Sequence, residues 1–309
     1  MKEIFDQEQV TERYQAALAA FVNKVKQDPN VIAVILLGGL AYDKVWDKSD
    51  IDLVVMVRDQ KQGTKNYCID EDNIVLNVIV IPRTDFWELM GKVRGGQFFH
   101  SLHARSKVVY TIDDSVAEYL ADIQHLGADD IELAFFEKAG ELIGNMEKIE
   151  KWLVVKNNPM YAQFYVLRCS TILADMRLLL EKEPPNRESV LRVMELDRDF
   201  IAPFYERPMT GKMTKEEIYK TLEAMRQFLR NNVELISRPA IRFMEDGEIK
   251  TVTMLSNHFG IDFHTIYHVF EFLTEMGIME KVTESIRITP KGKKLVEEVA
   301  FIYTGNLMV

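Results

Sequence analysis

The stretch that most restricts the fold lies between residues 31 and 54. Val31-Ile32-Ala33-Val34-Ile35-Leu36-Leu37 is an unbroken apolar run closed by Gly38-Gly39, and Lys48-Ser49-Asp50-Ile51-Asp52-Leu53-Val54 follows. Such a run predicts a strand buried on both faces with a tight turn at its end. Glycines there, lacking Cβ atoms, let backbone N–H groups approach a phosphate at the start of the next helix. On the next strand Asp50 and Asp52 share a face, because strand side chains alternate with a period of two. Two carboxylates that close repel each other and call for a cation. Hard oxygen ligands select Mg²⁺ or Mn²⁺, which bridge readily to phosphates.

Two further apolar runs, Ile51 to Val57 and Ile74 to Ile81, predict strands, with a weaker one at Val108 to Ile112. Helical spacing marks Gln9 to Val25 and Thr84 to Val93. After Asp113 helices dominate: a long one from Asp129 or Asp130 to about Val155, a second from Tyr161 to Lys182, and a third from the capping box Thr214-Lys215-Glu216-Glu217 to about Ile236, before Pro239. The last sixty or so residues read as helix Lys250 to Phe259, helix Phe263 to Met276, short strands at Ile278 to Val282 and Ser285 to Thr289, and a final helix opened by Pro290 and reaching Tyr303. This is the order of a winged helix-turn-helix. The expected fold class is therefore α+β, a mixed sheet with flanking helices over residues 1–112, an all-α bundle over 113–238, and the winged module over 239–309.

Composition excludes several classes. No apolar run approaches the eighteen or so residues needed to cross a bilayer, and Met1 to Gln7 has acidic and polar residues where a signal peptide would be apolar. The expectation is a cytoplasmic protein with no membrane partner. Cys68 and Cys169 are too few for a disulfide framework. A net charge of −10 argues against a protein that coats nucleic acid, although a local basic groove is compatible with it.

The stretch Gly38-Gly39 with Asp50-x-Asp52 resembles the nucleotidyltransferase superfamily, which includes polymerase β and the small antibiotic-modifying nucleotidyltransferases. The interval from Gly38 to Asp50 is the family's, and Ala41, Ser49, Ile51 and Leu53 also stand in family-typical places. With its bundle and winged end, carried by Ile286-Arg287-Ile288-Thr289-Pro290-Lys291-Gly292-Lys293-Lys294-Leu295, the chain is similar to the nucleotidyltransferase-like proteins of low-GC Gram-positive bacteria. The resemblance implies nucleotide binding by Gly38, Gly39 and Ser49. It also implies catalytic and metal-binding roles for Asp50 and Asp52, with Mg²⁺ or Mn²⁺ as cofactor.

The chain departs from the family at the third carboxylate. The matching position is Asn77, whose amide carries no charge and accepts no proton at neutral pH. Asp70, Glu71 and Asp72 precede that strand in a polar turn, and Asp43 stands where a glycine is common. A buried amide bonded to backbone would account for Asn77 equally well. Elsewhere, His100 and His103 lie three apart near Arg105, a spacing that suits metal ligands or a plain surface pair. Arg168 and Asp175 share a helical stripe that either reaches a nucleotide or forms a structural ion pair.

The helix Asp262 to Met276 has no Lys or Arg, and between Lys250 and Tyr303 six basic residues face seven acidic ones. That composition disfavours DNA reading and suggests a unit for packing or for pairing two copies into a homodimer. The leading expectation is an Mg²⁺-dependent enzyme moving a nucleoside monophosphate from a nucleoside triphosphate to a hydroxyl acceptor. The alternative is a non-catalytic nucleotide-binding or regulatory protein on the same fold, with the winged module used for a partner or DNA.

Overall fold

A computed structural model describes residues 7–42, 45–91, 106–122, 127–289 and 291–305. The chain divides into two compact units, Met1–Leu126 and Gly127–Val309.

In the first unit, strands β1 (Val31–Leu37), β2 (Ile51–Val57), β3 (Lys65–Glu71), β4 (Ile74–Pro82) and β5 (Lys107–Thr111) form one sheet in the order β3-β4-β2-β1-β5. Strands β2 and β4 run parallel and the other pairs antiparallel, so the sheet is mixed as expected. The apolar run that predicted a doubly buried strand is β1, buried at every residue. Helix α1 (Gln7–Val25) covers one face, burying Val10, Tyr14, Ala17 and Phe21 against Leu36, Leu53 and Leu76. Helices α2 (Arg83–Met90) and α3 (Asp114–Asp122) cover the other, with Phe86, Met90, Val116 and Leu120 against Ile35, Val54 and Met56. Because α3 buries Val116 and Leu120 there, this unit continues past residue 112, the expected end of the core.

Strand β3 corrects the reading of residues 70–72 as a turn before β4. Asp70 and Glu71 end β3, and the turn is Asp72-Asn73, both at positive φ. As a polar edge strand β3 leaves no apolar run to find, which is also how edges resist pairing with other chains.

The second unit is mainly helical. Its longest members, α4 (Ala128–Val154) and α5 (Pro159–Leu180), pack along each other and bury Phe135, Leu142, Ile149, Val166 and Leu173. Asn158 caps α5, its side chain accepting from the Tyr161 N–H at 3.0 Å, and Pro159 occupies the first turn where its missing donor costs nothing. Short helices α6 (Ser189–Leu196), α7 (Arg198–Ile201) and α8 (Glu206–Thr210) follow. The expected capping box is present at Thr214 and Glu217, opening α9 (Lys215–Asn231). The helix expected to stop before Pro239 is instead broken at Asn232, and α10 (Val233–Met244) runs through the proline. Burial of Ile236, Ala240 and Met244 outweighs the one donor Pro239 lacks.

Helix α10 is tied to α4 through Glu132, which is 7% exposed and accepts from Arg238 at 3.0 Å and from Arg242. Burial opposes its charge, but the hydrogen bonds from Arg238 and Arg242 outweigh that and hold its carboxyl below the usual range. A depressed native pKa gives stability that is present above the unfolded value of about 4.3 and is lost as pH falls through the native one. Glu132→Gln is expected to lower stability by about 1–2 kcal/mol at neutral pH, the half-exposed arginines being partly screened by water. Urea titrations of both chains should converge as the pH is lowered. A difference unchanged by acid would mean the carboxylate charge is irrelevant.

At the C-terminus β6 (Lys250–Thr251), α11 (Val252–Phe259), α12 (Phe263–Glu275), β7 (Glu280–Ile286) and β8 (Val296–Ile302) follow, with the sheet order β6-β8-β7. Gly260, at φ +58°, turns the chain between the two helices. Two expectations are corrected here. The separate strands at 278–282 and 285–289 are one strand, β7, and the final helix expected from Pro290 to Tyr303 is the strand β8. Pro290 itself lies outside the described residues. Val296, Val299 and Ile302 favour a strand, and antiparallel pairing with both β6 and β7 satisfies the backbone of β8 from two sides. Phe136 of α4 packs between Phe259 and Phe270, at 5.1 and 6.1 Å between ring centres, so these C-terminal helices share a core with the bundle.

Candidate functional site

Strand register assembles the site. Leu37 pairs with Asp52, Asp52 with Asn77, and Asn77 with Cys68, so one row of side chains crosses β1, β2, β4 and β3 on the face that α2 and α3 cover farther along. Asp50, two residues before Asp52, shares that face. The Asn77 Nδ2 donates to Asp50 Oδ2 at 2.6 Å and to Asp52 Oδ1 at 3.2 Å. The amide therefore bridges the carboxylate pair, supplying two partly positive hydrogens where the resemblance implies a third negative group. Asn77 is half-buried and its partners are side chains, so the alternative of a core amide bonded to backbone is not what the structure contains.

The glycine turn is fitted to the aspartates. Gly38 has φ +70°, and a Cβ built on it would lie 2.8 Å from Asp52 Oδ2. Neither the conformation nor the space suits another residue. Gly39 begins a single 3₁₀ turn, Gly39–Tyr42, in place of the helix expected after the glycines, with the Ala41 N–H donating to the Gly38 carbonyl at 3.0 Å.

Ser49 is engaged in its own turn. Its Oγ accepts from the Trp46 N–H at 3.1 Å, its N–H donates to the Trp46 carbonyl at 2.9 Å, and its carbonyl accepts from the Tyr14 hydroxyl at 2.6 Å. Tyr14 thus anchors α1 to the residue preceding Asp50. Burial, with Asp47 nearby, pushes its hydroxyl above the usual tyrosine range, so it remains a donor at any physiological pH. Sequence reading placed Tyr14 only as an apolar face residue; the available signal was that a buried tyrosine hydroxyl needs a partner.

Other candidates are dispersed. Glu71 accepts from Lys24, Asp70 Oδ1 accepts from the Asn73 N–H at 3.3 Å, and Asp72 occupies the hairpin turn, so none joins Asp50 and Asp52. Among the described residues no three His, Cys, Asp or Glu side chains form a group able to hold a metal ion. His100, His103, Arg105 and Asp43 lie outside the described residues. In the second unit Arg168 is exposed over the Tyr165 ring at 5.4 Å, whereas Asp175 is buried, 3.6 Å from Lys138. Their shared stripe is covered at one end only, by Lys138 and Ser189, and the two are not brought together.

Asp50 and Asp52 offer hard carboxylate oxygens that could take one divalent ion of the Mg²⁺ or Mn²⁺ class; the Asn77 amide turns its N–H₂ to them and adds no charge for a second ion.

No protein-family model and no curated protein matches the chain. A crystal structure of a nucleotidyltransferase-like protein from Exiguobacterium sibiricum 255-15 aligns with a TM-score of 0.63 and 14% identity, over 94% of this chain and 99% of that one. The chain therefore has a nucleotidyltransferase-like fold, with a five-stranded mixed sheet followed by a helical region. No helix among the described residues is long and apolar enough to cross a membrane.

Proposed function

We propose that the first unit binds a nucleoside triphosphate together with one divalent cation, Mg²⁺ or Mn²⁺, and acts as a nucleotide-responsive regulatory protein. The observation that carries this reading is Asn77, bonded to both Asp50 and Asp52 in the place of a third carboxylate. Asp50 and Asp52 would hold the ion, which when bound neutralises triphosphate charge. Gly38 and Gly39 would let the phosphates approach the backbone beside them. Ser49 supports the turn that delivers Asp50. The C-terminal helices and hairpin are read as a winged helix-turn-helix used for packing, and residues 127–238 as the bundle that precedes it in the chain.

A second reading, transfer of a nucleoside monophosphate to a hydroxyl acceptor, is favoured by the intact pair of aspartates on one face beside Gly38. Calorimetry with ATP, CTP, GTP and UTP in Mn²⁺, combined with release of pyrophosphate in the presence of candidate acceptors, separates the two. The expected result is binding with one ion per nucleotide and no pyrophosphate. Pyrophosphate release would establish transfer, and no binding of any triphosphate would sink both readings. Asp52→Ala should reduce nucleotide affinity in Mn²⁺ by more than the ~10–100-fold that loss of an outer-shell partner costs. Nucleotide binding at normal affinity in that variant would remove Asp52 from the site.

A further inference from the structure

The second unit carries an aromatic surface that the nucleotide site does not use. Tyr161, Phe164 and Tyr165 lie on one side of α5, their ring centres 5.5 to 5.7 Å apart, and Tyr161 is 4.3 Å from Trp152 near the end of α4. Tyr161 and Phe164 are 43% and 46% exposed, so these rings are not a covered core. Arg168 lies over Tyr165 one turn farther along. At the other end a cavity of about 380 Å³ is lined by Lys156, Asn158, Met160, Gln163, Lys212 and Met213.

This surface also carries cations. Lys148, four residues before Trp152 on α4, is exposed, as are Lys156 and Lys212, and none of the three pairs with a carboxylate among the described residues. Of the neighbouring acids, Glu150 pairs with Arg226, whereas Glu147 is exposed and turned toward His268, 3.2 Å away. In a chain of net charge −10, these cations beside exposed rings give the surface a local positive character.

We propose that this surface binds single-stranded nucleic acid, with bases stacked on Tyr161, Phe164 and Trp152 and phosphates held by Lys148, Lys156, Lys212 and Arg168. Aromatic faces accept any base, and lysine serves as a point charge for a phosphodiester backbone that passes in variable geometry. A second copy of the chain is the wrong occupant. A twofold contact would set the same cations against themselves. This inference concerns the second unit and stands apart from the nucleotide reading.

The test is fluorescence anisotropy of the full chain with a labelled oligothymidylate twelve residues long, over a salt series from about 50 to 300 mM. Micromolar binding is expected, with a log–log salt slope of roughly −2 to −3, as four phosphate contacts on a single strand require. The double variant Tyr161→Ala, Phe164→Ala should bind about tenfold or more weakly. Lys156→Glu with Lys212→Glu should flatten the slope by about one or more. Circular dichroism checks that both variants fold, and Asp52→Ala should bind the oligonucleotide normally, which separates this site from the aspartates. The proposal is overturned by no binding at the lowest salt, by affinity unchanged in both double variants, or by equal affinity for the corresponding duplex. Competition by polyglutamate as effective as by the oligonucleotide would overturn it in favour of an acidic peptide. A dimer that the same substitutions dissociate would overturn it in favour of self-association.

Discussion

Replacing Asn77 with aspartate is expected to lower the stability of the metal-free chain by about 1–3 kcal/mol at neutral pH and to return that loss when Mn²⁺ is added. The amide now donates to Asp50 at 2.6 Å and Asp52 at 3.2 Å, so the substitution exchanges a donor shared by two carboxylates for a third acceptor among them. Three carboxylates so placed cannot all ionise freely, and one should keep its proton to higher pH than an isolated aspartate. A raised native pKa means stability that is complete below the unfolded value of about 3.9 and is lost as pH rises through the native one. The deficit of the variant should therefore be largest near neutrality and shrink in acid. Mn²⁺ at a hundred times its dissociation constant would restore about 2.7 kcal/mol. Thermal unfolding against pH and Mn²⁺ concentration measures all of this. A large loss of stability that neither acid nor Mn²⁺ relieves would mean that the position belongs to the core and not to the ion site.

That experiment rests on a register the sequence made legible only in part. The apolar run Ile74 to Ile81 gave the strand, and the family resemblance put Asn77 at the third carboxylate's position; in the parallel pairing of β2 and β4 Asn77 stands opposite Asp52. The direction of the amide was not legible. Whether an asparagine bonds backbone or side chains depends on which atoms the fold brings within reach, here two carboxylates on a neighbouring strand. Gly38 is similar. A glycine after a strand predicts a turn, but that a Cβ there would stand 2.8 Å from Asp52 Oδ2 is a fact of the fold absent from local spacing.

The C-terminal hairpin was misread for a different reason. Leu295-Val296-Glu297-Glu298-Val299-Ala300-Phe301-Ile302 supports a helical stripe and a strand about equally well, and Pro290 tipped the reading toward a helix start. What decides it is pairing along the whole of β7 on one side and with Lys250-Thr251, over forty residues away, on the other. Strand β3 was invisible because an edge strand with Lys65, Asn66 and Asp70 offers no apolar signal. The absence of Lys and Arg from residues 262–276, by contrast, could be read directly and agrees with what α12 exposes: Phe263, His264 and Glu275, with Lys281 drawn to Glu271.

Gly140→Ala is expected to be the most damaging single-methyl change in the second unit, because α12 lies against α4 at that residue. A Cβ on Gly140 would stand 2.4 Å from the Thr265 carbonyl oxygen and 2.7 Å from its Cγ2. A backbone oxygen cannot turn aside, so the helices must separate, and Phe136, Phe259 and Phe270 lose packing with them. Overpacking of this kind costs typically 1–3 kcal/mol and occasionally more, against up to about 1 kcal/mol gained from alanine's better helix propensity. A net loss of about 1–3 kcal/mol follows. Gly144→Ala is the control. Its new methyl would meet the His268 ring at 3.0 Å, and a side chain can shift by a few tenths of an ångström, so the helix gain should offset the crowding. Urea denaturation of the two variants should therefore differ, and hydrogen exchange should show lost protection in α11 and α12 for Gly140→Ala alone. Equal stability of both variants with the parent would mean that α12 does not rest on α4. Its buried face, Thr265, Ile266 and Val269, would then be free, and the DNA-reading alternative would regain its footing, testable by duplex affinity that falls steeply with salt.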